Sequence, residues 1–184
     1  MTQLTTKLAF AALIGAGLVI GGGAESAPKR GGVLNYVVGS KIPSYDGHKE
    51  TTFGMIHPMR PFYSTLIRVN PSNPSSPTDF VCDVCEGDVP KGEDGGTKFT
   101  FKIRKDVKFH DGTQMTAHDV KATMDKIIFP PKGIPSARKA FFMAVDSVNV
   151  DNDFQVTFKL KFPTGTFVPA LALPFNFIYS KKDL

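Results

Sequence analysis

The two cysteines of the chain, Cys82 and Cys85, are separated by two residues, and this CxxC spacing could serve three kinds of chemistry. A redox pair needs a thiol whose pKa is lowered by cations or a helix N-terminus, but the neighbours Asp83, Glu86 and Asp88 are acidic and would raise it. A zinc site needs two further ligands, and no second CxxC or HxxxH supplies them. In an exported protein, such a pair more often forms a local disulfide or stays inert. The three interpretations remain open, and no metal or cofactor is assigned.

The four histidines give weaker signals. His110 and Asp111 are adjacent, and adjacent strand residues point to opposite faces, so this carboxylate could not orient this imidazole as in a catalytic pair. His48, His57 and His118 are isolated in the sequence. The chain contains no GxSxG, P-loop or HExxH motif. We therefore assign no catalytic residue and expect that the protein is not an enzyme.

The hydrophobic pattern predicts the strands that would position these residues. Residues 98–103 alternate strictly between polar and apolar side chains, which indicates a half-buried strand. Residues 107–109 continue the pattern, and the turn dipeptide Asp111-Gly112 ends what we interpret as a half-buried hairpin or meander. Alternating apolar residues on both sides of a turn at residues 151–153 predict a second hairpin. The nearly continuous apolar run over residues 33–38 predicts a buried strand.

Two helices are predicted. Thr116 can cap the first helix, whose first turn holds Asp119 and which Pro130 ends. Its apolar stripe has four residues at helical spacing: Ala117, Val120, Met124 and Ile127. The second helix would begin around His57. Its apolar residues at helical spacing are Met59, Phe62, Tyr63 and Leu66.

The N-terminus has the pattern of a secretory signal peptide. Residues 8–20 form an uncharged apolar run after Lys7, too short for a membrane-spanning helix of about 20 residues but suited to a signal-peptide core. The small residues Ala24 and Ser26 provide a cleavage site. We expect residues 1–26 to be a signal peptide that directs the protein to the periplasm or another extracytoplasmic location. The alternative interpretation is an uncleaved anchor or a buried core helix.

Composition and charge exclude several classes of protein. The chain has 184 residues, of which 41% are hydrophobic, so it has enough apolar surface to avoid wholesale disorder. The net charge is +5, the basic residues are scattered, and no basic cluster is longer than Lys181-Lys182. We therefore expect no nucleic-acid partner.

The residues from Phe99 to Val120, FTFKIRKDVKFHDGTQMTAHDV, closely resemble the signature stretch of the family 5 extracellular solute-binding proteins. This family comprises the dipeptide- and oligopeptide-binding components of ABC importers. Flanking segments resemble family segments in the same order, so that the resemblance covers about residues 31–182. These segments are residues 31–36 (GGVLNY), 44–48 (SYDGH), 63–68 (YSTLIR), 148–163 and 178–182.

Three features depart from the family pattern. Gly47 stands where the family has proline, and residues 85–88 replace a segment that ends in tryptophan, a residue this chain lacks. The chain also stops at Leu184, whereas family members continue through a second lobe. We therefore expect a truncated or partial gene product.

The resemblance implies an α/β fold of the type II periplasmic-binding-protein class. This fold is a two-lobed clamp, of which only part of lobe I and its extra subdomain would be present. After the signal peptide, residues 27–45 would begin lobe I, and residues 46–165 would form the inserted subdomain. Residues 166–184 would return to lobe I, where the chain is truncated.

The resemblance also implies the function: a monomeric, periplasmic substrate-binding component that delivers a solute to an ABC permease in the inner membrane. The solute would be a peptide, or a nickel complex, haem or an oligosaccharide, with no cofactor. The residues expected to contact it follow the first strand: Lys49, Glu50, Thr51, Thr52 and Phe53. Such a position, at the carboxyl end of a buried strand, is where open α/β sheets bind ligands.

Two alternative functions remain open. The first is a secreted thiol or metal enzyme that uses the CxxC pair, which thiol titration and metal analysis would reveal. The second is a standalone secreted β-rich interaction domain, which requires that no second lobe is encoded after Leu184.

Overall fold

The computed structural model describes residues 30–184, so the predicted signal peptide lies outside the described residues. The chain divides into two units, Met1–Tyr36 and Val37–Leu184. The described part of the first unit, residues 30–36, forms no helix or strand. All helices and strands of residues 30–184 lie in the unit Val37–Leu184.

This unit contains five strands and three α-helices. Along the chain they follow the order helix, three strands, helix, two strands, helix. The strands are β1 (Ile67–Val69), β2 (Phe80–Cys82), β3 (Lys98–Lys102), β4 (Val145–Asn152) and β5 (Gln155–Leu160). The helices are α1 (Phe53–Met59), α2 (Ala117–Ile128) and α3 (Phe167–Leu171), with 3₁₀ turns at Lys139–Phe142 and Lys181–Asp183. Strands β1 and β2 form an antiparallel pair, and β3, β5 and β4 form an antiparallel sheet in that order.

The three-stranded sheet confirms the strand predicted at residues 98–103 and the predicted second hairpin. Phe99 and Phe101 of β3 are buried and lie opposite Phe158 and Val156 of β5, both of which are fully buried. The apolar face of this sheet packs on α2 and α3, forming the main core. Alternation predicted these strands because one face of the sheet is covered and the other meets solvent.

Helix α2 also confirms its prediction. Thr116 and Asp119 form a capping box at its start, in which the Asp119 carboxylate accepts a hydrogen bond from the Thr116 backbone N–H at 2.8 Å. The same carboxylate accepts the Lys181 N–H at 2.8 Å. The four residues of the predicted stripe are all buried. The helix start therefore also holds the segment that follows α3.

The prediction of a helix from about His57 to Leu66 is wrong. The helix is α1, Phe53–Met59, which begins earlier and ends earlier. Pro61 has no N–H to donate and its ring clashes with the preceding turn, so a helix that began at His57 could not continue through it to Leu66. Helix α1 packs into a smaller second core formed by Met55, Ile56, Met59 and Phe177.

The prediction of a buried strand over residues 33–38 is also wrong. The structure assigns no strand there, and Val33, Leu34 and Val37 are 87%, 83% and 97% exposed. A strand forms only against a partner that completes its hydrogen-bond ladder. An apolar run predicts the tendency to form a strand, but it does not show whether a partner is present.

None of the helices between residues 30 and 184 is long and apolar enough to cross a membrane.

Candidate functional site

The five residues predicted to contact a solute form one continuous surface segment. The segment follows a turn in which the Lys49 and Glu50 N–H groups donate to the Asp46 carbonyl at 3.1 and 3.2 Å, and it leads into α1. Glu50 is partly buried and the other four residues are exposed. The Phe53 side chain is 72% exposed and its ring lies 5.3 Å from that of His57. The structure thus presents these side chains together on the surface.

Arg138 holds the backbone of this segment from a distant part of the chain. Its side chain is only 4% exposed. Nη1 donates to the His48 carbonyl at 3.2 Å, and Nη2 donates to the Glu50 carbonyl. The guanidinium lies 4.0 Å from the centre of the Phe175 ring, a cation–π geometry. Burial lowers the pKa of Arg138. Within the described chain no carboxylate pairs with it, so backbone carbonyls and an aromatic face accommodate its charge.

His48 directly precedes the segment from Lys49 to Phe53 and anchors it to the rest of the fold. It is 4% exposed, and its Nε2 lies 2.8 Å from the Phe177 carbonyl. Since a carbonyl can only accept, Nε2 carries the proton, and Nδ1 is left as an acceptor with no hydrogen-bond partner among residues 30–184. The ring also packs against Tyr179, with centroids 4.7 Å apart. Burial, assisted by the charge of Lys126, lowers the pKa of His48 from its usual 6.5 to about 4.

The low pKa of His48 predicts a loss of stability in mild acid. Above pH 6.5 the imidazole is neutral in both the folded and unfolded states. As the pH falls from 6.5 towards 4, only the unfolded state takes up the proton, so the free energy of unfolding should fall by about 3 kcal/mol. The measurement is urea denaturation of the wild type and of His48→Gln at pH 7.5, 6, 5 and 4.

Glutamine keeps an N–H donor for the Phe177 carbonyl but does not titrate, so His48→Gln should show a flatter profile than the wild type. Parallel profiles for the two proteins between pH 6.5 and 4 would contradict the assignment of this loss to His48.

Gly47 explains one departure from the family pattern. Its N–H donates to the Tyr179 hydroxyl at 3.1 Å, which a proline could not do. A Cβ at this position would lie 2.6 Å from the Phe177 ring, closer than side chains tolerate. The glycine therefore lets the turn before the segment pack directly on the chain between α3 and the last 3₁₀ turn.

Beside this turn is a cleft of ≈ 670 Å³ that contains none of the five predicted residues. Its lining includes three tyrosines and one histidine, Tyr45, Tyr63, His110 and Tyr179, together with charged groups of both signs. The Tyr63 ring lies 5.2 Å from that of Tyr179 and 5.8 Å from that of His110. Sequence reasoning missed this cluster because its members come from separate segments, and no local pattern links them.

His110 and Asp111 do not act on each other in the structure. The Asp111 carboxylate accepts hydrogen bonds from the Lys182 ammonium and from the Thr113 N–H, the latter at 2.9 Å. These donors lower the pKa of Asp111. His110 and Asp111 lie in a turn rather than in a strand, so the alternation of strand side chains is not the reason why they do not interact.

The structure joins Cys82 and Cys85 in a disulfide. Asp83, between them, is not a free negative charge, because its carboxylate lies 3.7 Å from Arg60 and 3.6 Å from Arg68. No group of three His, Cys, Asp or Glu side chains between residues 30 and 184 is placed to hold a metal ion.

Part of the chain matches a known protein family. Residues 87–184 match the family model of the bacterial extracellular solute-binding proteins, family 5, middle region. The chain belongs to this family. It is 39% identical over 74 residues to the oligopeptide-binding protein AppA of Bacillus subtilis. It is 34% identical over 79 residues to the glutathione-binding protein GsiB of Pectobacterium atrosepticum. These matches cover 40% and 43% of this chain but only 13% and 15% of the relatives.

Solved structures of similar proteins confirm the fold class. The protein MoaA of A. tumefaciens R10, in complex with mannopinic acid, superposes with a TM-score of 0.67 at 26% identity. AppA of Bacillus subtilis, in complex with a nonapeptide, superposes with a TM-score of 0.64 at 28% identity. The chain spans 28% and 26% of these two structures, which cover 77% and 76% of it. The fold is α/β, of the type II periplasmic-binding-protein class, as the resemblance implied.

Proposed function

We propose that the protein is the solute-binding component of an ABC importer, exported from the cytoplasm, that delivers its solute to a permease in the inner membrane. The observation that carries this proposal is the match of residues 87–184 to family 5 of the solute-binding proteins. Proteins of this kind bind and release a solute without chemical change, so we propose no catalytic activity. The solute is a peptide or a similarly small molecule, since AppA holds a nonapeptide and MoaA holds mannopinic acid.

Five residues before and at the start of α1, four of them exposed and Glu50 partly buried, are proposed to contact the solute: Lys49, Glu50, Thr51, Thr52 and Phe53. Arg138 and His48 support this assignment because they fix the backbone under the segment. A binding segment that is already held in place loses less conformational entropy when the solute binds. The ammonium, carboxylate, hydroxyl and phenyl groups of these residues suit the mixed polar and apolar surface of a short peptide.

The proposal extends to the domain organisation of the chain. Residues 27–45 and 166–184 belong to lobe I of a two-lobed clamp, and residues 46–165 form the subdomain inserted into it. Binding between lobes allows hinge closure to bury the solute.

The proposal predicts that a peptide or related solute stabilises the full-length gene product. A thermal-shift screen should compare dipeptides, oligopeptides up to nine residues, glutathione and amino-acid–sugar conjugates. At a solute concentration of a hundred times Kd, the stabilisation is about 2.7 kcal/mol, which raises Tm by several degrees. A control series of single amino acids and free sugars tests whether the shift is specific. Absence of a shift with every peptide and conjugate would contradict the proposal.

A further inference from the structure

The Cys82–Cys85 disulfide lies at the joint between the two sheets. Cys82 is the last residue of β2 and pairs with Ile67 of β1. Cys85 makes an isolated β-bridge with Ile103, directly after β3. The four-residue loop that the disulfide closes therefore carries the chain from the two-stranded sheet to the edge of the three-stranded sheet.

The two sulfur-bearing residues differ in access to solvent. Cys85 is only 2% exposed, whereas Cys82 is partly exposed. Two surface clefts, of ≈ 640 and ≈ 290 Å³, border both cysteines. Both cysteines line the clefts, but Cys82 is the more exposed of the two and so the easier for an external thiol to reach.

The charged groups around the disulfide do not repel an approaching thiolate anion, because acidic and basic side chains are balanced there. Asp83 faces Arg60 and Arg68, and its N–H and carbonyl are held by the Leu66 carbonyl and by Arg104 Nη1, at 3.1 and 3.2 Å. The cations Lys102, Arg104 and Lys105 line the two clefts, together with the carboxylates of Glu86, Asp88 and Asp106. The acidic neighbours that are apparent in the sequence are therefore matched by basic groups from other elements.

We propose that this disulfide is a reducible cross-link that tightens or loosens the joint between the sheets. A thiolate attacks Sγ of Cys82 and forms a mixed disulfide, and the electron pair of the broken S–S bond leaves on Sγ of Cys85, which then takes a proton. A second thiol attacks the mixed disulfide and releases Cys82 as a thiol. The two external thiols end as one disulfide, and the protein gains two electrons and two protons.

The contacts expected to weaken when the disulfide is reduced are those of the loop that it closes. The Asp83 carboxylate accepts the Thr65 N–H at 2.9 Å, and the Val84 N–H donates to the Thr65 carbonyl at 3.2 Å. Asp83 also pairs with Arg60, which directly follows α1 and donates to the Tyr63 carbonyl at 3.2 Å. Opening the cross-link restores rotational freedom to this loop, so these contacts should weaken first, whereas the hydrogen-bond ladder between β3 and β5, which the loop does not enter, should be unchanged.

The first experiment compares the reactivity of the two cysteines in the purified chain. Cys85→Ser leaves the accessible Cys82, and Cys82→Ser leaves the buried Cys85. Each variant is incubated with glutathione disulfide without denaturant, and mass spectrometry follows the mixed disulfide. Cys85→Ser should react at least tenfold faster than Cys82→Ser. Equal rates, or a faster Cys82→Ser, would overturn the proposed direction of attack.

The second experiment uses the wild-type chain and needs no variant to fold. Dithiothreitol at millimolar concentration, without denaturant, should reduce the disulfide. Hydrogen exchange of the Thr65 and Val84 amides should then become at least tenfold faster, while that of β5 amides stays unchanged. Reduction only at denaturing urea concentrations, or unchanged exchange after reduction, would overturn the proposal. Neither experiment involves a solute, so its outcome is independent of the proposed transport function.

Discussion

Replacement of Arg138 by methionine is expected to lower the free energy of unfolding by about 2–4 kcal/mol. Methionine is an unbranched side chain that donates no hydrogen bond and has no charge to place over the Phe175 ring. The carbonyl groups of His48 and Glu50 then lose the donors that hold them, and an unpaired carbonyl that is shielded from water costs about 1–3 kcal/mol. Urea denaturation at pH 7.5 measures this change.

Lys139→Met is the matched control, because the neighbouring Lys139 side chain is exposed. This change should alter stability by no more than about 0.5 kcal/mol. If both variants lost the same stability, the Arg138 contacts would not hold the segment. Faster hydrogen exchange at the Lys49 and Glu50 amides of Arg138→Met would locate the effect.

Phe158→Ala should have a large effect, a loss of about 3–5 kcal/mol in the free energy of unfolding. Phe158 is fully buried in the middle of the three-stranded sheet. Its ring lies 5.7 Å from that of Phe101 and 5.4 Å from that of Phe167. Alanine would leave a cavity between the sheet and α3 that these rigid neighbours cannot close.

Phe162→Ala provides the comparison for this prediction. Phe162 lies just after the same strand, but its side chain is 52% exposed, so its loss should cost about 1 kcal/mol or less. Both changes are measured by chemical denaturation under the same conditions. Similar losses for the two variants would contradict the assignment of Phe158 to the centre of the core.

Sequence patterns predicted the elements whose determinants are local. The alternation around Phe99 and Phe101 and the capping pair of Thr116 and Asp119 depend on residues that are close in sequence. Strands β1 and β2 have only three residues each, too few for a period to be recognised. The apolar run at residues 33–38 failed for another reason, since a strand depends on a partner that its own sequence does not describe.

The candidate site was predicted only through the family resemblance, which located the segment from Lys49 to Phe53. The residues that hold this segment in place could not be predicted from the sequence. Arg138 binds backbone carbonyl groups 88 and 90 positions away, and every residue type carries the same carbonyl. His48 likewise gave no signal, because its role depends on the burial created by Phe177.

The measurement that tests the account most directly is the affinity of the full-length gene product for the solute found by thermal shift. Isothermal titration should compare the wild type with Thr51→Ala and Phe53→Ala, and with Phe162→Ala as an exposed control. We expect saturable binding by the wild type, a Kd at least tenfold higher for Phe53→Ala, about 1.4 kcal/mol, and a Kd within twofold of the wild type for the control. No saturable binding by the wild type, or an unchanged Kd in both segment variants, would contradict the account.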